Sequence, residues 1–253
     1  MMPIKIIVNA DDLGLSESVN DAIFQAMKRG AITSATMLAN GSAVNAAASS
    51  LHLFPKCSFG VHLNLTEFEP LCPDSRKDLA SILDENKCFN GNSIREVKIG
   101  LSLLRAIFRE WCWQIEHLMR LGVELSHFDG HHHVHTIPHL LPVLAALRRR
   151  YKIKRVRISR NLYEDFERPS RLLLAEKAAY NQALRALGFQ TTRIFGDLCA
   201  YVNLYAQQPP RAASAELMTH PGSLPRTEEA DLLESDWPGR LSYKATFVSY
   251  NSL

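Results

Sequence analysis

Cysteine is scarce and scattered. The five thiols, Cys57, Cys72, Cys88, Cys112 and Cys199, are odd in number and contain no CxxC pair. That argues against a disulfide framework and a cysteine zinc site, and for reduced thiols in a cytoplasmic protein. Long apolar runs are missing as well. No stretch approaches the roughly 20 apolar residues of a membrane span, so no integral membrane segment is expected. The apolar run from Ile4 to Ala10 is cut off by Asp11-Asp12, too early for a signal peptide. Nor does one sign of charge dominate. The 29 Lys+Arg against 26 Asp+Glu leave a net +3, too mild to predict a nucleic-acid partner. The basic run Arg148-Arg149-Arg150 reads as a solvated helix end favoured by the helix dipole. Repeats, low-complexity linkers and composition breaks are absent too, so residues 1–253 read as one domain.

What is present is an ordinary globular composition, 46% hydrophobic and 22% charged, enough to bury a large core. Strand and helix signals alternate. Residues 4–10, 32–38, 58–65, 123–129, 155–158, 191–195 and 215–219 read as strands: short, apolar and rich in β-branched residues. Helices are predicted from the N-cap Ser16 to Gly30, over 43–53, from Ser93 to Leu121 closed by Gly122, from Pro138 to about Arg150, and from Ser170 to Leu187 closed by Gly188. Such alternation predicts parallel strands with helical crossovers, hence an α/β fold in the form of a single-domain distorted (β/α) barrel. Residues 66–92 show no clear periodicity and read as a lid, a substrate wall or a plain surface insertion. The tail from Pro225 onward is the least readable part.

Five of the ten histidines fall in His127-Phe128-Asp129-Gly130-His131-His132-His133-Val134-His135. Carried through as a strand, this stretch would align His127, Asp129, His131, His133 and His135 on one face. Imidazole is the commonest protein metal ligand, so the face is either a metal site or a solvated histidine-rich loop. Other polar residues also stand at predicted strand ends: Asp11-Asp12, His62 and His220. In parallel α/β folds, sites gather at these carboxyl ends. An aspartate with two histidines is a three-ligand set that leaves positions open for water, as catalytic metals require. Of two adjacent carboxylates, one can bind metal while the other, its pKa raised by the like charge, takes a proton. Asp129 suits a carboxylate that orients an imidazole. His220 suits a general acid, or a turn histidine without a role. Arg157 either pairs with Asp11 or Asp12 or lies on the surface.

The order of several motifs resembles the YdjC-like carbohydrate deacetylases. They are Asn9-Ala10-Asp11-Asp12-Leu13-Gly14-Leu15-Ser16 with Val19-Asn20, Ile32-Thr33-Ser34, Gly60-Val61-His62-Leu63-Asn64-Leu65-Thr66, the histidine run, and His220-Pro221. The likeness spans residue 4 to about 222. It implies a barrel related to the polysaccharide deacetylases, and removal of an acetyl group from an N-acetylated sugar with one divalent metal ion, magnesium or zinc. By motif match it implies Asp12, His62 and His131 as metal ligands, Asp11 as catalytic base and His220 as acid. His133, His135, Asp129 and Arg157 are left to support the ligands or contact substrate. A homodimer is expected from the resemblance alone. Leu13 replaces the phenylalanine usual after the aspartates, and the tail beyond Gly222 follows no family pattern. Two other readings stay open: a different metallohydrolase such as a phosphoesterase on a similar barrel, or a non-enzymatic metal-binding protein.

Overall fold

A computed structural model describes residues 3–91, 93–164, 166–222 and 228–253. Asn92, which ends the expected lid, and residues 223–227, where the unreadable tail begins, lie outside the described residues. The first strand, β1 (Ile4–Leu13), runs three residues past its predicted end and takes in both aspartates. Ile6, Ile7, Val8 and Ala10 are all fully buried, as expected of a strand covered on both faces in a parallel sheet. Helix α1 (Glu17–Lys28) follows, capped by the Ser16 hydroxyl, which accepts from the Val19 N–H. Then come β2 (Ser34–Met37), α2 (Val44–Ser50) and β3 (Ser58–Leu63).

Residues 66–91 of the segment expected to be aperiodic are folded. They hold two short 3-10 turns around α3 (Arg76–Leu79), and their Leu79, Ile82 and Phe89 are buried. The single long helix expected from Ser93 to Leu121 is in fact two, α4 (Ser93–Glu96) and α5 (Leu101–Arg120). Gly100 stands extended at the head of α5 (φ −92°, ψ 176°). The break is silent in the apolar pattern, because Ile94 before it and Leu103 after it both reach the core.

Next are β4 (Leu125–Gly130), α6 (Leu141–Tyr151), β5 (Arg155–Val156), α7 (Arg171–Ala186) and β6 (Ile194–Asp197), the last displaced from the predicted 191–195. Helix α8 (Leu198–Tyr205), strand β7 (Ser214–Thr219), helix α9 (Glu228–Glu234) and strand β8 (Ala245–Phe247) complete the chain. The two late helices and β8 were not expected.

The main strand order is β5-β4-β3-β2-β1-β7-β6, with β8 joining the start of β1. Every pairing between named strands is parallel. The outer strands approach each other again. The Gln190 N–H donates to the Lys154 carbonyl at 2.8 Å, and the Val156 N–H donates to the Gln190 carbonyl at 3.1 Å. The sheet is therefore curled into the distorted barrel that the sequence pattern predicts, and its strand ends face one another.

Candidate active site

Adjacent residues of a strand normally point to opposite faces. Asp11 and Asp12 nevertheless serve one site, because the β1–β2 register shifts between Ala10 and Leu13. Asp12 takes a left-handed backbone (φ 67°). Such a conformation in a non-glycine residue costs on the order of 1 kcal/mol and persists only where the surroundings enforce it.

The histidine run does not continue as a strand. β4 ends at Gly130, and residues 131–136 coil into 3-10 turns with His132 (φ 48°) and His133 (φ 57°) left-handed. The five-residue face expected of an extended run is thereby dispersed. His131 turns toward Asp12, with Nδ1 2.8 Å from the aspartate Oδ1. His135 is fully buried, with Nε2 3.2 Å from the Arg157 carbonyl oxygen. The His133 ring meets Phe195 edge to face at 5.6 Å. His127 stacks on Tyr250, 3.6 Å between ring centres. Burial first, then the charge of Arg157, pushes the His133 imidazole down to about 3. Burial likewise holds His127 and His135 well below the usual histidine range. All three rings are neutral at physiological pH.

His62 bridges the site. Its Nδ1 lies 2.7 Å from Asp129 Oδ1, and its Nε2 lies 3.2 Å from Asp12 Oδ1. Asp129 also accepts from the Thr36 hydroxyl at 2.9 Å. Burial opposes charge on His62, but the Asp129 carboxylate that it bonds and the close Asp12 carboxylate push it up to about 10. One potential ligand atom from each of Asp12, His62 and His131 lies within 4.8 Å of the other two. Asp12 Oδ1 is buried and makes no aligned hydrogen bond despite its two close imidazole nitrogens. Burial resists ionisation of Asp12, yet His131 and His62 hold it well below the usual carboxylate range. A buried carboxylate oxygen facing two imidazole nitrogens, in a pocket that favours positive charge, fits a divalent cation.

Two other groups are less suited. In Asp11, His62 and Asp129, Arg157 already engages both carboxylates. In Glu67, His131 and His132, two of the three side chains reach solvent.

Arg157 settles its own open assignment: it is fully buried and pairs with Asp11. Nη1 lies 2.7 Å from Asp11 Oδ2 and 2.9 Å from Asp129 Oδ2, and Nη2 lies 2.6 Å from Asp11 Oδ1. The expected rise in one aspartate's pKa is overturned by this contact. Burial raises Asp11, but the Arg157 guanidinium holds it well below the usual carboxylate range. His220 follows β7, with Nε2 3.9 Å from Asp11 Oδ2 and its backbone N–H donating to Glu229 at 2.7 Å. Glu67, Glu216, Glu229 and Tyr250 were missed in the sequence. None of them belongs to a motif read in the sequence, so no pattern marks it.

The molecule is thus a curled parallel α/β barrel with a His/Asp cluster assembled from the ends of β1, β3, β4 and β7. The profile of the YdjC-like protein family matches residues 5–241, and the chain belongs to this family. Its relatives include a carbohydrate deacetylase of Geobacillus stearothermophilus, 38% identical over 60% of this chain and 59% of that protein. A carbohydrate deacetylase of Enterococcus faecalis is 35% identical over 67% of each. The match therefore spans about six tenths of the Geobacillus relative. A solved structure from Enterococcus faecalis V583, described provisionally as a cellobiose-phosphate cleavage protein, covers 99% of both chains with a TM-score of 0.77 and 25% identity.

Proposed function

We propose that this protein is a metal-dependent hydrolase that removes the acetyl group from an N-acetylated sugar. The carrying observation is the convergence of Asp12, His62 and His131 beside the Asp11–Arg157 pair and His220. Named relatives that deacetylate carbohydrates support the same reading.

Asp12, His62 and His131 would hold a magnesium or zinc ion, which would supply Lewis acidity toward a water and the acetyl carbonyl. Asp11, kept anionic by Arg157, accepts a proton as the water oxygen bonds to the carbonyl carbon. A weak base would suffice there once a bound cation had acidified the water. When the carbon–nitrogen bond breaks, His220 protonates the departing amine, so acetate and an amino sugar leave. Asp129 orients the His62 ring.

Phosphate ester cleavage is less well supported. Arg157 is engaged by three carboxylates, and Arg160 pairs with Glu167 at 2.8 Å and Asp197 at 2.7 Å. Neither guanidinium is left to grip a phosphate.

Among the described residues no helix is long and apolar enough to cross a membrane. All five cysteines are free, which supports the cytoplasmic setting. The proposed homodimer is checked by analytical ultracentrifugation.

The decisive experiment is acetate release from N-acetylglucosamine compounds of different length and aglycone, with zinc or magnesium supplied. Asp12→Asn and His131→Ala should lose bound metal and acetate release together. Deacetylation retained by either variant sinks the ligand assignment. Phosphate rather than acetate release sinks the reaction. Asp11→Asn should keep the metal and stop turnover, which excludes a purely metal-binding protein.

A further inference from the structure

Side chains from β1, β4, β6 and β7 converge on Arg157, which follows β5. They can meet only inside the curl of the sheet, so Arg157 stands in the barrel interior. Its upper edge, Nη1 and Nη2, holds Asp11 and Asp129 at the site. Its lower edge is held separately: Nε donates to Glu216 Oε1 at 2.7 Å. The guanidinium also lies over the Phe195 ring, 4.6 Å from its centre. The planar fork is thus fixed by one carboxylate below and by two above.

Glu216 is in turn held by the last residues of the chain. The Tyr250 hydroxyl donates to Glu216 Oε2. The Tyr250 ring is fully buried and stacked on His127, with 12° between the planes. Its backbone N–H donates to Ser58 Oγ at 2.9 Å. The flanking segment is tied down by Arg155 to the Asn251 carbonyl at 3.1 Å and Lys5 to the Ser252 carbonyl at 2.8 Å. β8 pairs with Ile4–Ile6 of β1 and so brings Tyr250 beneath the barrel.

We infer that Tyr250 and Glu216 are positioning residues, which set the orientation of Arg157 and through it that of Asp11. The segment that follows β8 then supports the site from beneath the barrel. This inference rests on the deacetylase reading for its kinetic consequence, but not for its structural one. A tilt of the guanidinium displaces both Asp11 oxygens together. A displacement near 1 Å at a reacting group costs about 100-fold in rate in the extreme case.

The test uses Tyr250→Phe, which keeps the stacked ring and removes only the hydroxyl, and Glu216→Gln as a second variant. In the full chain labelled with 15N, the Arg157 Nε–H signal is assigned by its loss in Arg157→Lys. Its hydrogen exchange should speed up at least about tenfold in Tyr250→Phe, while the backbone amides of β1 and β7 exchange as before. Zinc affinity, read by titration, should stay within about twofold, because Asp12, His62 and His131 keep their places. With a substrate that releases acetate, kcat should fall about tenfold at unchanged KM, and the two substitutions should be non-additive in kcat. Unchanged Arg157 exchange overturns the inference. So does faster exchange with unaltered kcat, a loss confined to KM, or additive effects. If the wild-type protein releases no acetate, the deacetylase reading fails, and Arg157 exchange still decides whether Tyr250 holds the guanidinium.

Discussion

Nδ1 of His62 lies 2.7 Å from Oδ1 of Asp129, and both side chains are buried. In the neutral ring with Nδ1–H donating to Asp129, the Nε2 lone pair would be aimed toward Asp12. Carboxylates behind imidazole ligands fix the tautomer and ring orientation, and their loss costs about 10- to 100-fold in metal affinity. Asp129→Asn should therefore weaken zinc binding by that factor, measured by competition with a chelator of known affinity. Wild-type affinity in the variant would show that His62 is oriented by its packing alone.

Glu216 gives the metal-free protein a pH-dependent stability of unusual sign. An ordinary glutamate ionises near 4.5, and here burial, opposed by Arg157 and Tyr250, pushes Glu216 up to about 7. The folded state keeps a proton that the unfolded chain has already released between those values. This contribution is full below about pH 4.5 and is lost as the pH rises to about 7. The difference between 7 and 4.5 corresponds to roughly 3 kcal/mol. In Glu216→Gln that downward slope should vanish, whatever the variant's absolute stability. Urea unfolding of both proteins at half-unit steps from pH 4.5 to 7.5 measures it, and parallel curves would refute it.

The segment 66–92 is fastened to α5 by a buried carboxylate. Glu110 accepts from the Leu71 N–H at 3.0 Å and the Cys72 N–H at 2.8 Å, and from Gln114 at 2.9 Å. Gln114 continues the clasp, donating to the Asn64 carbonyl and accepting from the Asn64 N–H, each at 2.9 Å. Glu110→Ala orphans one buried and one half-buried donor, a loss of about 1–3 kcal/mol each at most. Limited proteolysis should then cut first within 66–92, at a rate raised at least about tenfold over wild type. Unchanged cleavage would mean that Leu79, Ile82 and Phe89 hold the segment without Glu110.

Much of this architecture was legible in the residues because periodicity reports burial directly. Ile6, Val8 and Ala10 announce β1, and the stripe Val19, Ile23, Ala26 announces α1. The site was legible where chemistry is concentrated: paired aspartates, His62 and the histidine run all stand at strand ends. What escaped depends on backbone geometry or on single polar residues. The positive φ of Asp12, His132 and His133 cannot be read from residue types that tolerate other conformations equally well. Glu216 alternates with apolar neighbours in β7 and looks like any outward-facing strand residue, yet it points into the barrel at Arg157. Helix α8 is apolar nearly throughout, so it carries no face for a period to reveal.

Gly60 has no room for a side chain. It lies against the His127 ring, and a Cβ built on it would stand 2.5 Å from His127 Cε1 and 2.7 Å from both ring nitrogens. The ring has nowhere to go: Tyr250 stacks on it, and Ser126 Oγ lies 2.7 Å from its Nδ1. Glycine is therefore required here for space rather than for backbone freedom. Overpacking of this kind costs about 1–3 kcal/mol when neighbours can shift, and more when they cannot. Gly60→Ala should destabilise the protein by at least about 2 kcal/mol, lowering the urea midpoint without a change in slope. If Tyr250 is the neighbour that gives way, its displacement also loosens Glu216, and the Arg157 Nε–H in Gly60→Ala should exchange as fast as in Tyr250→Phe. A destabilised variant with slow Arg157 exchange would show instead that the clash is absorbed in β3 and β4, before it reaches the column beneath the site.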